Sequence, residues 1–182
     1  PAWPSAASTA SRSASRTRRF PVGHAPGPVL VRDGSPADVD RMSWAASEDQ
    51  REAWREQARN AESGDVCFLV AELDGQVVAK AVLDWTRGSD GSAWLWMLSV
   101  RPDLRSRGIG TRVLREGESR ARLRGCPAVE LAVDDANPRA RQVYLREGYE
   151  VVRPHVDEFQ QRRPDGTTVD VRAPGVVLRK EL

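Results

Sequence analysis

Cysteine is almost missing from this chain. Cys67 and Cys126 stand far apart, with no CxxC and no Cys/His cluster, so neither a disulfide framework nor a zinc site is expected, and both read as buried small hydrophobes in a reducing cytoplasm. Lysine is equally scarce: Lys80 and Lys180 are the two exceptions among 28 basic residues, the rest being arginine, a skew expected of a GC-rich bacterial genome. With 26 acidic residues the formal net charge is only +2, and no single basic helix emerges, which argues against a nucleic-acid partner. Of the two histidines, His24 lies near the start, and His155, close to Asp157 and Glu158, has no nucleophile in a triad arrangement. No apolar run approaches the ~20 residues of a membrane helix, so a soluble cytoplasmic protein is expected. The first 28 residues hold no acid and are rich in Ser, Ala, Arg and Pro. Residues 1–28 are expected to be a disordered tail. The same composition occurs in organelle transit peptides, but the prolines argue against an amphipathic helix. Residues 29–182 are long enough for one domain with its own core.

Within that domain the period of the apolar residues changes several times. Val29 to Arg32 reads as a strand, and Ser35-Pro36 opens one or two helices that run on to Ser63-Gly64, with Val39, Met42, Ala46, Ala53, Trp54 and Ala58 at helical spacing. VCFLVAEL and QVVAKAVLDW are β-branched runs joined by Asp74-Gly75, the pair that favours a type I′ hairpin turn. SDGS then turns the chain into AWLWMLSV, a third antiparallel strand. A helix follows from about Gly108 to Arg124, closed by Gly125; then strand VELAV, a DDAN loop, and a helix from Pro138 to Gly148. YEVVRPHV and VDVRAPGVVLRKEL flank Pro164-Asp165-Gly166 and read as a closing hairpin. The class is mixed α/β, with a mostly antiparallel central sheet flanked by helices and without regular βαβ alternation.

The segment RSRGIGTR, residues 105–112, carries the chemistry. A helix N-terminus exposes unpaired N–H groups and a partial positive charge, and glycines at 108 and 110 let a ligand reach the backbone. Arg105 and Arg107 add mobile cations, and a pyrophosphate is the natural complement. The P-loop pattern fails because no lysine follows the glycine. The dinucleotide fingerprint fails because Val113 stands where its third glycine belongs, and RPDLRSR is too long a turn for that motif, although Glu130 sits twenty residues past Gly110.

SVRPDLRSRGIGTRVL resembles the acyl-coenzyme A binding segment of the GNAT superfamily of N-acetyltransferases, whose [QR]xxGx[GA] signature is matched by Arg105, Gly108 and Gly110. NPRARQVYLREGYE resembles the second recurring segment of that family, through Asn137, Ala140, Tyr144, Gly148 and Tyr149. The resemblance covers roughly residues 29–182 and is strongest from Leu95 to Glu150; the element order agrees with the GNAT acyl-CoA N-acyltransferase fold.

The resemblance implies acetyl-CoA as co-substrate and an amine as acceptor. It assigns the pyrophosphate to backbone amides of Ser106, Arg107, Gly108, Ile109, Gly110 and Thr111, with Arg105 and Arg107 nearby. It implies that the strand before the loop splays from its neighbour, so that Leu98, Ser99 and Val100 pair with the pantetheine arm, and that the Leu98 amide faces the thioester oxygen. Tyr144 falls where the family places the acid that protonates the sulfur, and Asn137 is assigned to the pantetheine or to capping its own helix. Some members that acetylate protein N-termini carry a glutamate where this chain has Ala132; small-molecule amines are therefore favoured, with lysine side chains open and a non-catalytic acyl-CoA sensor as the alternative. Asp84, Glu130 and Asp134 are the local carboxylates available as a base. Trp44 and Trp54 line either the core or an acceptor pocket, and a homodimer paired through the C-terminal strands is expected.

Overall fold

The computed structural model describes residues 27–45, 47–162 and 166–182. The expected tail falls almost wholly outside the described residues, as do the helical position at Ala46 and the Pro164-Asp165 turn. A single seven-stranded sheet forms the frame: β1 (Leu30–Asp33), β2 (Val66–Leu73), β3 (Gln76–Asp84), β4 (Ala93–Val100), β5 (Ala128–Asp134), β6 (Glu150–Arg162) and β7 (Thr168–Glu181). Its order is β1-β2-β3-β4-β5-β7-β6, and every pairing is antiparallel except β4 with β5. Helices α1 (Pro36–Asp40) and α2 (Glu48–Asn60) precede β2, α3 (Ile109–Leu123) connects β4 to β5, and α4 (Pro138–Arg146) follows β5. Among the described residues no helix is long and apolar enough to cross a membrane.

Two cores explain why β2 and β3 read as nearly unbroken apolar runs rather than alternating ones. On one face Leu69, Ala81, Leu83, Leu95 and Leu131 pack with Ile109, Val113 and Leu114 of α3. On the other, Phe68, Val70 and Val82 pack with Val39, Met42 and the Trp54 of α2. The α3 helix lies close to the sheet at Gly117, where a Cβ would come within 3.0 Å of the Leu95 side chain. At the Asp74-Gly75 turn both residues have positive φ, 50° and 71°, which is the type I′ geometry that the dipeptide predicts.

The short helix α1 owes its start to a reciprocal cap. The Ser35 N–H donates to the Asp38 carboxylate at 2.9 Å, and Arg32 donates to the same carboxylate through both terminal nitrogens at 2.9 and 2.7 Å. The Arg32 hydrogen bonds hold the buried Asp38 carboxyl at about 2, below the ordinary value of 3.8. A depressed folded-state value gives stability that is complete above the unfolded value and disappears as pH falls toward the folded one. Urea unfolding should therefore lose about 2 kcal/mol between pH 4 and pH 2, and Asp38→Asn should remove most of that acid-dependent loss.

Candidate functional site

The strands β4 and β5 run parallel but stay paired only at their start, through Ala93↔Val129 and Trp94↔Glu130. Their C-terminal ends lie at the same edge of the sheet, and from Leu95 onward β4 has no partner on β5. Two connections flank this gap: the loop from Arg101 to Gly108 that leads into α3, and the 135–137 turn that leads into α4.

β4 is irregular within the gap. Its register with β3 runs through Lys80↔Ser99 and then resumes at Val82↔Trp96, so Met97 and Leu98 have no register partner on either side. Met97 takes a φ of 54°, a left-handed conformation rare for a side chain of its size. The extra residue places Trp96 and Met97 together on the α2 face while Leu98 packs toward the α3 face, as expected of a β-bulge. Leu98, Ser99 and Val100 all lie on this half-buried stretch, which has no partner on the β5 side.

The loop that follows has the form of an anion nest. Leu104, 1% exposed, anchors it to the core, Arg105 donates from Nε to the Val100 carbonyl at 3.2 Å, and Ser106 and Gly108 have φ of 68° and 76°. Alternating left-handed residues turn successive N–H groups toward one concavity. Gly108 caps α3, and the buried Ile109 ties its first turn to the core. No amide from Ser106 to Thr111 donates to another described residue. The guanidinium groups of Arg105, Arg107 and Arg112 form no ion pair with a carboxylate among the described residues, although those of Arg32, Arg55, Arg120 and Arg179 do. The loop thus keeps its amides free of described partners and its cations free of carboxylates.

Arg139 joins them from α4, donating to the Ser106 hydroxyl across a sequence separation of 33. Sequence spacing gives no sign of this contact, because it arises only where α4 returns to the loop. Asn137 caps α4 by accepting from the Ala140 N–H at 3.2 Å. Tyr144, about two turns further along α4, packs on the α3-side core with its ring 6.0 Å from that of Tyr149. Its hydroxyl makes no hydrogen bond to another described residue, and burial pushes it up to about 12. It therefore stays protonated throughout the physiological range.

The three carboxylates weighed as bases are all committed elsewhere. Asp84 accepts from the Thr86 amide and hydroxyl, closing the turn after β3, and Asp134 accepts from the Ala136 N–H at 2.7 Å. Glu130, 1% exposed, accepts from Ser89 and lies 3.1 Å from Arg179 and 3.4 Å from Arg153. Burial pushes its carboxyl up, but these donors outweigh that effect and hold it below the usual range. Trp54 is a core residue, and the half-buried Trp44 packs on it while donating to the Val77 carbonyl at 3.1 Å. His155 faces Asp157 at 3.0 Å. Among the described residues no cluster of His, Cys, Asp and Glu suits a metal ion.

The sequence model of the Acetyltransferase (GNAT) family matches residues 36–149. The chain belongs to the GNAT acetyltransferase family. Solved structures share the fold of this GNAT chain at low identity. An IAA acetyltransferase from Bacillus cereus is 17% identical, with a TM-score of 0.65 over 85% of this chain and 100% of that one. A ribosomal-protein-alanine N-acetyltransferase from Brucella melitensis is 22% identical, with a TM-score of 0.64 over 84% and 99%. The PaiA N-acetyltransferase of Thermoplasma acidophilum, solved in complex with coenzyme A, is 19% identical, with a TM-score of 0.60 over 86% and 100%. Family membership makes acetyl-CoA-dependent acetyl transfer the general activity of this GNAT chain.

Proposed function

We propose that this chain is an N-acetyltransferase that passes the acetyl group of acetyl-CoA to a primary amine by direct attack, both substrates being bound together. The observation that carries this reading is the set of uncommitted amides from Ser106 to Thr111 at the end of an open strand gap. These amides, with Arg105, Arg107 and Arg139, suit the pyrophosphate. The free edge of Leu98, Ser99 and Val100 suits the pantetheine amides as an added strand, with Asn137 at the opposite wall.

The co-substrate supplies an activated thioester. The N–H of Leu98 donates a hydrogen bond to the carbonyl oxygen as negative charge develops on it, a contact worth about 3 kcal/mol in acyl transfer. As the amine nitrogen bonds to the carbonyl carbon and the C–S bond breaks, Tyr144 donates its proton to the departing thiolate. With Asp84, Glu130 and Asp134 engaged, the amine proton leaves through water. Small-molecule amines fit better than protein N-termini, since Ala132 on β5 offers no carboxylate. Two unpaired cysteines, Cys67 among them with its thiol pushed up to about 12 by burial, suit a reducing cytoplasm. Exposed Val151, Val152 and Val156 on the edge strand β6 support pairing of two copies through the C-terminal strands.

Free-thiol release from acetyl-CoA, measured across a panel of small amines, an N-terminal peptide and a lysine peptide, tests this reading. Turnover with a small amine is the expected result. Tight coenzyme A binding without thiol release from any of them would establish a sensor instead.

A further inference from the structure

Lys80 is 0% exposed and forms no ion pair with a carboxylate among the described residues. It stands in the middle of β3, on the face covered by α2, with Nζ 4.6 Å from the centre of the Trp54 ring. The cluster on this face consists of Val39, Met42, Trp54, Phe68, Val70 and Val82. A charged ammonium in such surroundings is strongly disfavoured, and burial alone holds the Lys80 amine well below the ordinary lysine range. Family membership does not account for the residue, since none of the roles assigned above uses it.

The hydrogen bond it makes is informative. Nζ donates to the Met97 carbonyl at 2.6 Å, and Met97 is the left-handed residue of the β4 bulge, without a register partner on β3. A bulge removes a ladder bond, and a buried carbonyl left without a donor is costly. The Ser99 hydroxyl reaches the same oxygen only at 3.3 Å. We infer that Lys80 is a positioning residue: its amine, acting as a hydrogen-bond donor to the Met97 carbonyl, locks the bulge in the shape that aims the next peptide N–H, that of Leu98, into the strand gap. The inference rests on the role proposed for Leu98 in so far as catalysis is concerned; the lock on the bulge stands apart from it.

The test separates the two. Lys80→Met keeps the volume and removes the donor, whereas Lys80→Gln keeps a neutral donor. In the free protein, hydrogen–deuterium exchange of the segment around residues 96–99 should speed up at least tenfold in K80M, with β5 and β7 unchanged, and K80Q should stay near the wild-type rate. Unchanged exchange in K80M, or fast exchange in a folded K80Q, would overturn the inference. Acetyl-CoA labelled with 13C at the thioester carbonyl gives the second readout. Its infrared stretch should move to lower frequency on binding to the wild type and to K80Q, and revert toward the free value in K80M at a Kd within threefold. No shift in the wild type would instead defeat the Leu98 role while leaving the bulge lock standing. A full shift in K80M would show that Lys80 does not position Leu98.

Discussion

Replacing Tyr144 with phenylalanine should lower turnover about a hundredfold, the usual scale of a lost general acid, while leaving coenzyme A affinity within threefold. The expectation follows from where the hydroxyl is and from what it lacks. The ring is held by the α3-side core and by Tyr149, so removing one oxygen leaves the packing intact. The hydroxyl has no other described partner, so no fold-stabilising bond is lost with it. Its proton, kept in place up to about 12 by burial, is available whenever a thiolate forms beside it. Steady-state kinetics with a turning-over amine, together with calorimetric titration of coenzyme A, checks both halves. Full activity in Y144F would move the protonation step to water and leave Tyr144 as a packing residue.

The second large effect concerns Gly110, and the structure separates it from Gly108. Gly108 adopts a φ of 76° with open space around it, so a side chain there is penalised by backbone strain whether or not a ligand binds. Gly110 has ordinary backbone geometry, and a Cβ on it would meet Val100 Cγ2 at 3.4 Å, a contact the free protein accommodates. Gly110→Val should therefore fold with nearly unchanged stability yet crowd the ligand away from the amides. Losing one amide contact to a charged phosphate costs about 2 kcal/mol, roughly thirtyfold in Kd. Gly108→Ala should weaken binding and also lower stability by about 1 kcal/mol. Calorimetry and thermal unfolding of the two variants distinguish the cases. Undiminished coenzyme A affinity in G110V would mean that the phosphates bind elsewhere.

Much of this was legible in the sequence because it is local. The type I′ turn at Asp74-Gly75, the Ser35-Pro36 start of α1, the cap at Asn137 and the apolar stripe of α3 all depend on residues within a few positions of one another, where side-chain chemistry acts directly on the backbone. The glycine loop and the Tyr144 segment were recognisable for the same reason. The family match to residues 36–149 agrees with that reading.

What the sequence by itself determined was the set of elements, their order and the residue types offered to a phosphate. Tertiary structure alone decided how they combine. The insertion of β7 between β5 and β6, the loss of β4–β5 pairing beyond Trp94 and the bulge at Met97 depend on which strands come to lie side by side in the sheet. The arrival of Arg139 at Ser106, the sequestering of Glu130 by Ser89, Arg153 and Arg179, and the burial of Lys80 against Met97 are likewise contacts across long separations. A residue's charge, reach and proton affinity are fixed by its surroundings as much as by its type, and those surroundings exist only once the sheet has closed around it.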